Sequence, residues 1–231
     1  MADLATTPKG IHAESRPWAW QTVRGNRRKV WLTPDPEVVA FIGVLKAEQA
    51  RKVYDLGCGL GRHTVLLARE GFDVSGTDLS TRGLLHTSRW LRKEGLGATL
   101  HPSDITVAPF PSDYFDAVIA YNVVYHGTVH SVETCLHEVK RTLRAGGRLL
   151  VTFNSTQSSD FGGGVKIDDH TFKKVGPPED GIPHYFVDRP ELERLLEDFT
   201  LDRVDHLEAD EPVAGGGVKH AAHWMVWARK P

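Results

Sequence analysis

Three features are scarce in this chain of 231 residues. There are only two cysteines, Cys58 and Cys135. Two thiols in different elements make no disulfide framework, so a reduced, cytoplasmic setting fits best. No continuous apolar run is long enough for a secretory leader or a bilayer span, and no membrane association is expected. Charge of one sign is scarce too. The formal net charge is −2, so no global basic field recruits nucleic acid. Internal repeats and long low-complexity tracts are also missing. What remains is ordinary for a globule: 40% hydrophobic and 25% charged residues, in a length that suits one full core.

The stretch Val53-Tyr-Asp55-Leu-Gly57-Cys58-Gly59-Leu-Gly61 reads as a buried strand that breaks at Asp55 into a glycine-rich turn, with a helix opening near Arg62. Glycine suits such a turn because a Cβ would hold a ligand off the backbone. The free N–H groups of the following helix favour partial negative charge. A nucleotide-like cofactor is the first expectation. The dinucleotide fingerprint wants a glycine where Arg62 stands, so the compact spacing departs from it.

Around this turn the chain alternates. Asp35-Pro36-Glu37 caps a helix carrying Val38, Phe41, Ile42 and Leu45 on one face. Strands are expected over 72–77, 98–101, 115–121 and 148–154. Helices are expected from Arg62 to Arg69 and over 80–93 and 131–144, the last with Val132, Cys135, Leu136, Val139 and Leu143 inward. A helix from Asp188 and strands over 200–207 and 219–229 follow, the strands turning at Gly215-Gly-Gly217. Such alternation predicts an α/β fold with a doubly wound, mostly parallel sheet, and a ligand site beyond the carboxyl ends of its strands. Asp55, Asp78, Asp104, Tyr121 and Asn122 all fall at such ends.

Five landmarks then occur in order: Asp55 with the glycine turn, Val74-Ser-Gly-Thr-Asp78, Ser103-Asp104-Ile105, Phe115-Asp-Ala-Val-Ile-Ala-Tyr121-Asn122, and Leu143-Arg-Ala-Gly-Gly-Arg-Leu-Leu-Val151. Together they resemble the class I S-adenosylmethionine-dependent methyltransferases. The resemblance implies a Rossmann-like sheet of seven strands with an antiparallel last strand, and S-adenosyl-L-methionine as cofactor. It implies cofactor contacts at Asp55, Gly57, Cys58, Gly59, Gly61, Asp78, Leu79, Asp104, Ile105, Tyr121 and Asn122. Asp78 would grip the ribose hydroxyls and Asp104 would meet the adenine amino group, with Leu79 and Ile105 sandwiching the ring. The turn sequence, with Glu70-Gly-Phe-Asp-Val74, is similar to the branch that includes tellurite and thiol-type methyltransferases.

The implied chemistry is in-line displacement of the sulfonium methyl by a small-molecule nucleophile: O, N, S or metalloid. His126 and Tyr125, after the fourth strand, are the catalytic candidates, because a histidine there could take an acceptor's proton. Arg62 and His63 stand near the expected aminoacyl end, as cofactor contacts or as solvated groups. Trp18, Trp20, Trp31, His170, His184 and Tyr185 are candidate acceptor contacts. Residues 1–34 form an N-terminal segment, frayed over the first ten. Beyond them it reads either as a helix packed by its tryptophans, with Arg24, Arg27, Arg28 and Lys29 on a solvated face, or as a lid. Residues 35–231 are the methyltransferase domain, and the irregular stretch 155–187 covers its active site. Asp168, Asp169, His170, His184 and His223 match no compact zinc spacing, and no metal is expected. The DNA methyltransferase motif is replaced by Asn122-Val-Val-Tyr125, so DNA is not the acceptor, and net charge disfavours RNA. The alternatives are an RNA or protein methyltransferase, a nicotinamide-dependent oxidoreductase, and a cofactor-binding protein without turnover.

Overall fold

In the computed structural model, which describes residues 15–212 and 217–231, strand and helix alternate as the apolar pattern requires. The first ten residues and the turn expected at Gly215 and Gly216 lie outside the described residues. Two helices, α1 (Gly25–Val30) and α2 (Pro36–Ala47), precede the sheet. Then follow β1 (Lys52–Leu56), α3 (Arg62–Arg69), β2 (Asp73–Asp78), α4 (Thr81–Lys93), β3 (Thr99–Pro102), β4 (Phe115–Ala120), α5 (Val129–Thr142) and β5 (Leu143–Ser155). The chain closes with β6 (Val165–Lys166), β7 (Thr171–Lys173), β8 (Pro183–Val187), α6 (Arg189–Leu195), β9 (Thr200–Pro212) and β10 (Val218–Arg229).

The central strands run β3-β2-β1-β4-β5, all parallel. Strand β10 is antiparallel to both β5 and β9, which completes the seven expected strands. Successive side chains of a strand point to opposite faces, and the core sorts accordingly. Val53, Ala117, Ile119, Leu150 and Met225 pack with Val38, Phe41, Ile42 and Leu45 of α2. Their neighbours Tyr54, Val118, Leu149, Val151 and Val226 pack in the other layer, with Val132 and Leu136 of α5 and Leu192 of α6. Burying each such aliphatic or aromatic side chain stabilises the fold by roughly 1.5–3 kcal/mol.

Local chemistry sets the helix starts. The Asp35 side chain accepts the Glu37 N–H at 2.9 Å, with Pro36 in the first helical position. Helix α5 starts two residues early and stops at Thr142, so Leu143, expected on its face, opens β5 and pairs with Phe115 instead.

Two expectations are corrected. Residues 155–187 are not irregular throughout. Strand β8 joins β5 in parallel through Asn154↔Phe186 and Ser155↔Val187, and β7 and β6 extend from it antiparallel. These strands are two to five residues long, too short to leave a period-two signature in a polar stretch. The N-terminal segment is also not one packed helix. Its helical part is six residues, after a 3₁₀ turn at Trp20–Thr22. No helix among the described residues is long and apolar enough to cross a membrane.

Candidate active site

Strand order changes direction between β1 and β4, where open parallel sheets leave a crevice. A cleft of about 880 Å³, partly open to solvent, lies there. The glycine turn forms its floor. Gly57, Gly59 and Gly61 all have positive φ, a conformation that L side chains resist. A Cβ on Gly57 would stand 2.2 Å from Val123 Cγ2, and one on Gly61 2.7 Å from Thr87. The spacing thus serves close packing against the turn after β4 and against α4.

Asp78 ends β2 and ties this floor together. Its Oδ2 accepts the Gly59 N–H at 2.8 Å and its Oδ1 the Ser80 N–H at 2.7 Å. Burial raises its pKa although one side opens to the cleft, and the two backbone donors oppose that rise. Each oxygen keeps a lone pair for a further donor. Asp104, 3% exposed, spends Oδ1 on the N–H and hydroxyl of Thr106, which leaves Oδ2 free of those bonds. Leu79 and Ile105 line the cleft beside these carboxylates.

Tyr121 and Asn122 form the wall beyond β4. Asn122 has φ +54, tolerable for Asn, and its N–H donates to Thr152 Oγ1 at 2.7 Å. Tyr121 donates to Asp35 Oδ2 at 2.6 Å. The Arg62 guanidinium lies 5.0 Å from the Trp31 ring and 5.1 Å from the Tyr121 ring, held between them on the cleft wall. Burial lowers its pKa, but an Arg stays charged. His63 is buried and accepts the Asp35 N–H through Nε2 at 3.3 Å, and burial keeps it neutral. Burial likewise lifts the Cys58 thiol well above its ordinary value. Cys58 is therefore a cleft-lining filler, not a thiolate.

Trp18, Trp20 and Trp31 roof the cleft, their centroids 4.6–5.6 Å apart. Trp20 lies on Gly59 and Gly83, where a Cβ would meet its ring. The buried Nε1 atoms of Trp18 and Trp20 have no hydrogen-bond partner within the protein. The roof is joined to the 174–182 loop, because the Ala19 N–H donates to Pro178 O at 3.0 Å.

Several expected residues stay off the cleft wall. Asp55 is buried beneath the turn and accepts from Thr64 Oγ1 at 2.5 Å. Gly61 caps α3. Tyr125 is buried behind His126, with ring centroids 4.7 Å apart, and burial raises its phenol well above its ordinary value. The Tyr185 hydroxyl donates to Glu191, and His170 Nδ1 bonds Phe186 O at 3.0 Å. These two serve the added strands and lie off the wall of this cleft.

His126 is on the wall and has company no motif announced. Its Nε2 stands 3.7 Å from Glu179 Oε1, and His184 Nε2 approaches the same oxygen at 3.2 Å. Neither nitrogen is hydrogen-bonded. Burial drives His184 down to about 4, against the pull of Glu179. Burial also works to raise Glu179, but the two imidazoles outweigh it and hold that carboxyl well below its usual range. Glu179 left no signal in the sequence, because only the β7–β8 connection brings it here.

A family profile described as a methyltransferase domain matches residues 53–147. A demethylmenaquinone methyltransferase of Tropheryma whipplei is 34% identical over 112 residues, 48% of this chain and 44% of that protein. The chain spans 39% to 44% of the length of the first curated relatives that it matches. Among solved structures, an S-adenosylmethionine-dependent methyltransferase from Methanosarcina mazei superposes with a TM-score of 0.69 at 18% identity, over 86% of this chain and 99% of that one. The Burkholderia thailandensis 1,6-didemethyltoxoflavin-N1-methyltransferase, solved with bound 1,6-didemethyltoxoflavin and S-adenosylhomocysteine, gives a TM-score of 0.60 at 18% identity, over 91% and 85%.

Proposed function

We propose, for a chain that carries a class I S-adenosylmethionine-dependent methyltransferase domain, that it binds S-adenosylmethionine in the cleft above β1, β2 and β4 and methylates a small-molecule nucleophile. One observation carries the reading: Asp78 and Asp104 stand at adjacent strand ends, each with acceptor capacity facing a cleft floored by left-handed glycines. The unpartnered Nε1 donors of Trp18 and Trp20 suit a polar ligand there.

In this reading Asp78 accepts from the ribose hydroxyls and Asp104 Oδ2 from the adenine amine, while Leu79 and Ile105 flank the ring. Gly57, Cys58 and Gly59 present backbone to the aminoacyl end, and Arg62 adds positive charge on that wall. Asp55 supports the turn from below. Bound, the cofactor supplies an activated sulfonium methyl, so the protein mainly aligns the acceptor and excludes water. Ideal alignment alone is worth roughly 7–11 kcal/mol. The tryptophan roof is the lid, residues 35–231 are the catalytic domain, and the 155–187 region covers its acceptor side. His126, backed by Tyr125 and His184, is the acceptor-side imidazole, placed to draw a proton from a hydroxyl or thiol.

Calorimetry with S-adenosylmethionine, S-adenosylhomocysteine and NADH tests this. Both sulfur ligands bind and NADH does not. Asp78→Ala weakens S-adenosylhomocysteine at least tenfold, since a charge-assisted hydrogen bond is worth roughly 1.5–3 kcal/mol. Binding of NADH alone makes the protein an oxidoreductase. Binding of the sulfur ligands, with no methyl transfer across a panel of O, N, S and metalloid acceptors, leaves a binding protein.

A further inference from the structure

Two imidazoles and a carboxylate from three separate segments converge in the interior, at the acceptor edge of the cleft. His126 comes from the turn after β4, Glu179 from the β7–β8 connection and His184 from β8. Their donor atoms, Nε2, Oε1 and Nε2, all lie within 4.8 Å of one another. A hydrogen-bonded relay would leave each Nε2 satisfied by the carboxylate. Here both nitrogens are buried without a hydrogen-bond partner while aimed at one oxygen. Buried polar atoms rarely stay unpaired, and an ion between the three would satisfy all of them.

We infer that His126, Glu179 and His184 bind a divalent transition metal of the zinc class. Four-coordinate zinc holds nitrogen and oxygen ligands at about 2.0–2.2 Å, which sets ligand atoms roughly 3.4 Å apart. The two edges through Glu179 Oε1, 3.2 and 3.7 Å, bracket that spacing, and the third edge is within 4.8 Å. The set fits zinc, cobalt or iron better than magnesium, which prefers oxygen ligands and water. A supporting contact is in place as well. His184 Nδ1 lies 3.4 Å from the Asn154 side-chain amide. With its oxygen turned inward, that amide takes the Nδ1 proton and leaves Nε2 free to ligate.

Three protein ligands leave a coordination position open, the pattern of a catalytic site. His126 lines the cleft, so the ion would sit beside it. Resting on the methyl-transfer reading, the ion would hold the acceptor through a hydroxyl or thiol heteroatom and lower its pKa. With the ion bound, deprotonation would fall to the metal and His126 would hold it in place; the imidazole would act as base only in the metal-free chain. This goes against the expectation from sequence that no metal is bound.

The test uses the full chain stripped of metal with a chelator. Cobalt(II) is titrated and read by its visible absorption, zinc by calorimetry, and magnesium serves as the control, with S-adenosylhomocysteine affinity measured on the same samples. The expected result is one cobalt or zinc per chain, intense tetrahedral cobalt bands, no magnesium uptake, and at least a tenfold loss of zinc affinity in Glu179→Gln and in His184→Gln. Wild-type protein that yields only the spectrum of aqueous cobalt overturns the inference without recourse to any variant. So does zinc affinity equal in wild type and both folded variants, which would place the ion on surface histidines. Metal binding without S-adenosylhomocysteine binding would keep the site and sink the methyltransferase reading. The reverse would do the opposite.

Discussion

Asp55 is the residue where burial has the clearest thermodynamic consequence. It is 2% exposed, and burial pushes its carboxyl up to about 7, against the Thr64 hydrogen bond and the charge of Arg62. In the unfolded chain the same group ionises near ~4. A carboxyl that is harder to ionise when folded favours the native state least where the unfolded chain has already lost its proton. Its contribution is therefore intact at or below about pH 4 and declines as pH rises to 7. Asp55→Asn removes the titration and keeps an acceptor for Thr64. In urea unfolding the variant should gain on wild type between pH 4 and 7, by up to about 4 kcal/mol at ~1.4 kcal/mol per pH unit. A difference that is flat across that range would show that Asp55 is not held protonated. The residues of the turn itself were legible in the sequence, because glycines with positive φ and strand-end carboxylates are local chemistry. Tyr125 was not. Its neighbourhood in the chain said acceptor pocket, but the packing of β8, whose Tyr185 N–H donates to Tyr125 O, put it behind the wall.

Among the elements, the added meander of β6, β7 and β8 stands apart from the strands whose ends floor the cleft. The open end of its β6–β7 pair depends on Gly164, at φ +99, where a Cβ would stand 2.2 Å from Lys173 O. Gly164→Val should unpair β6 from β7. Limited proteolysis should then cut within residues 160–175 several-fold faster, while S-adenosylhomocysteine affinity changes less than twofold, since none of the meander floors the cleft. Unaltered proteolysis would mean that the hairpin does not need its glycine. The sequence showed the long strands and helices because their apolar periods run over many residues. Strands of two and three residues carry no period, and with them the approach of Glu179 and His184 to His126 was hidden.

For the whole molecule, a ligand gripped at three strand ends and roofed by the N-terminal segment should stabilise the entire sheet. At 100 times its dissociation constant, S-adenosylhomocysteine adds about 2.7 kcal/mol. For a domain of this size that corresponds to a rise in Tm of roughly 5–10 °C. Scanning calorimetry should show the rise with S-adenosylhomocysteine and none with NADH, and a Tm indifferent to both would count against the cleft as the ligand site. The mostly parallel, doubly wound sheet was legible too, since strand–helix alternation and handed crossovers leave few arrangements for such a pattern. The roof was not fixed by sequence. Three tryptophans among basic residues allow a packed helix or a cover, and the contact of Trp20 with Gly59 and Gly83 lays one of them on the turn.

The bond from the Gly59 N–H to Asp78 Oδ2 makes that amide a gauge. The carboxylate that would grip a ribose is the one already holding the floor of the cleft, so a ligand's hydroxyl would compete with the Gly59 N–H for its electrons. The shielding of a single amide proton then depends on whether the cleft is filled. In a nitrogen-correlated proton spectrum, the Gly59 cross-peak should shift on titration with any adenosyl ligand and stay still for compounds that reach only the acceptor side. Occupancy of the two halves could then be counted separately in one sample.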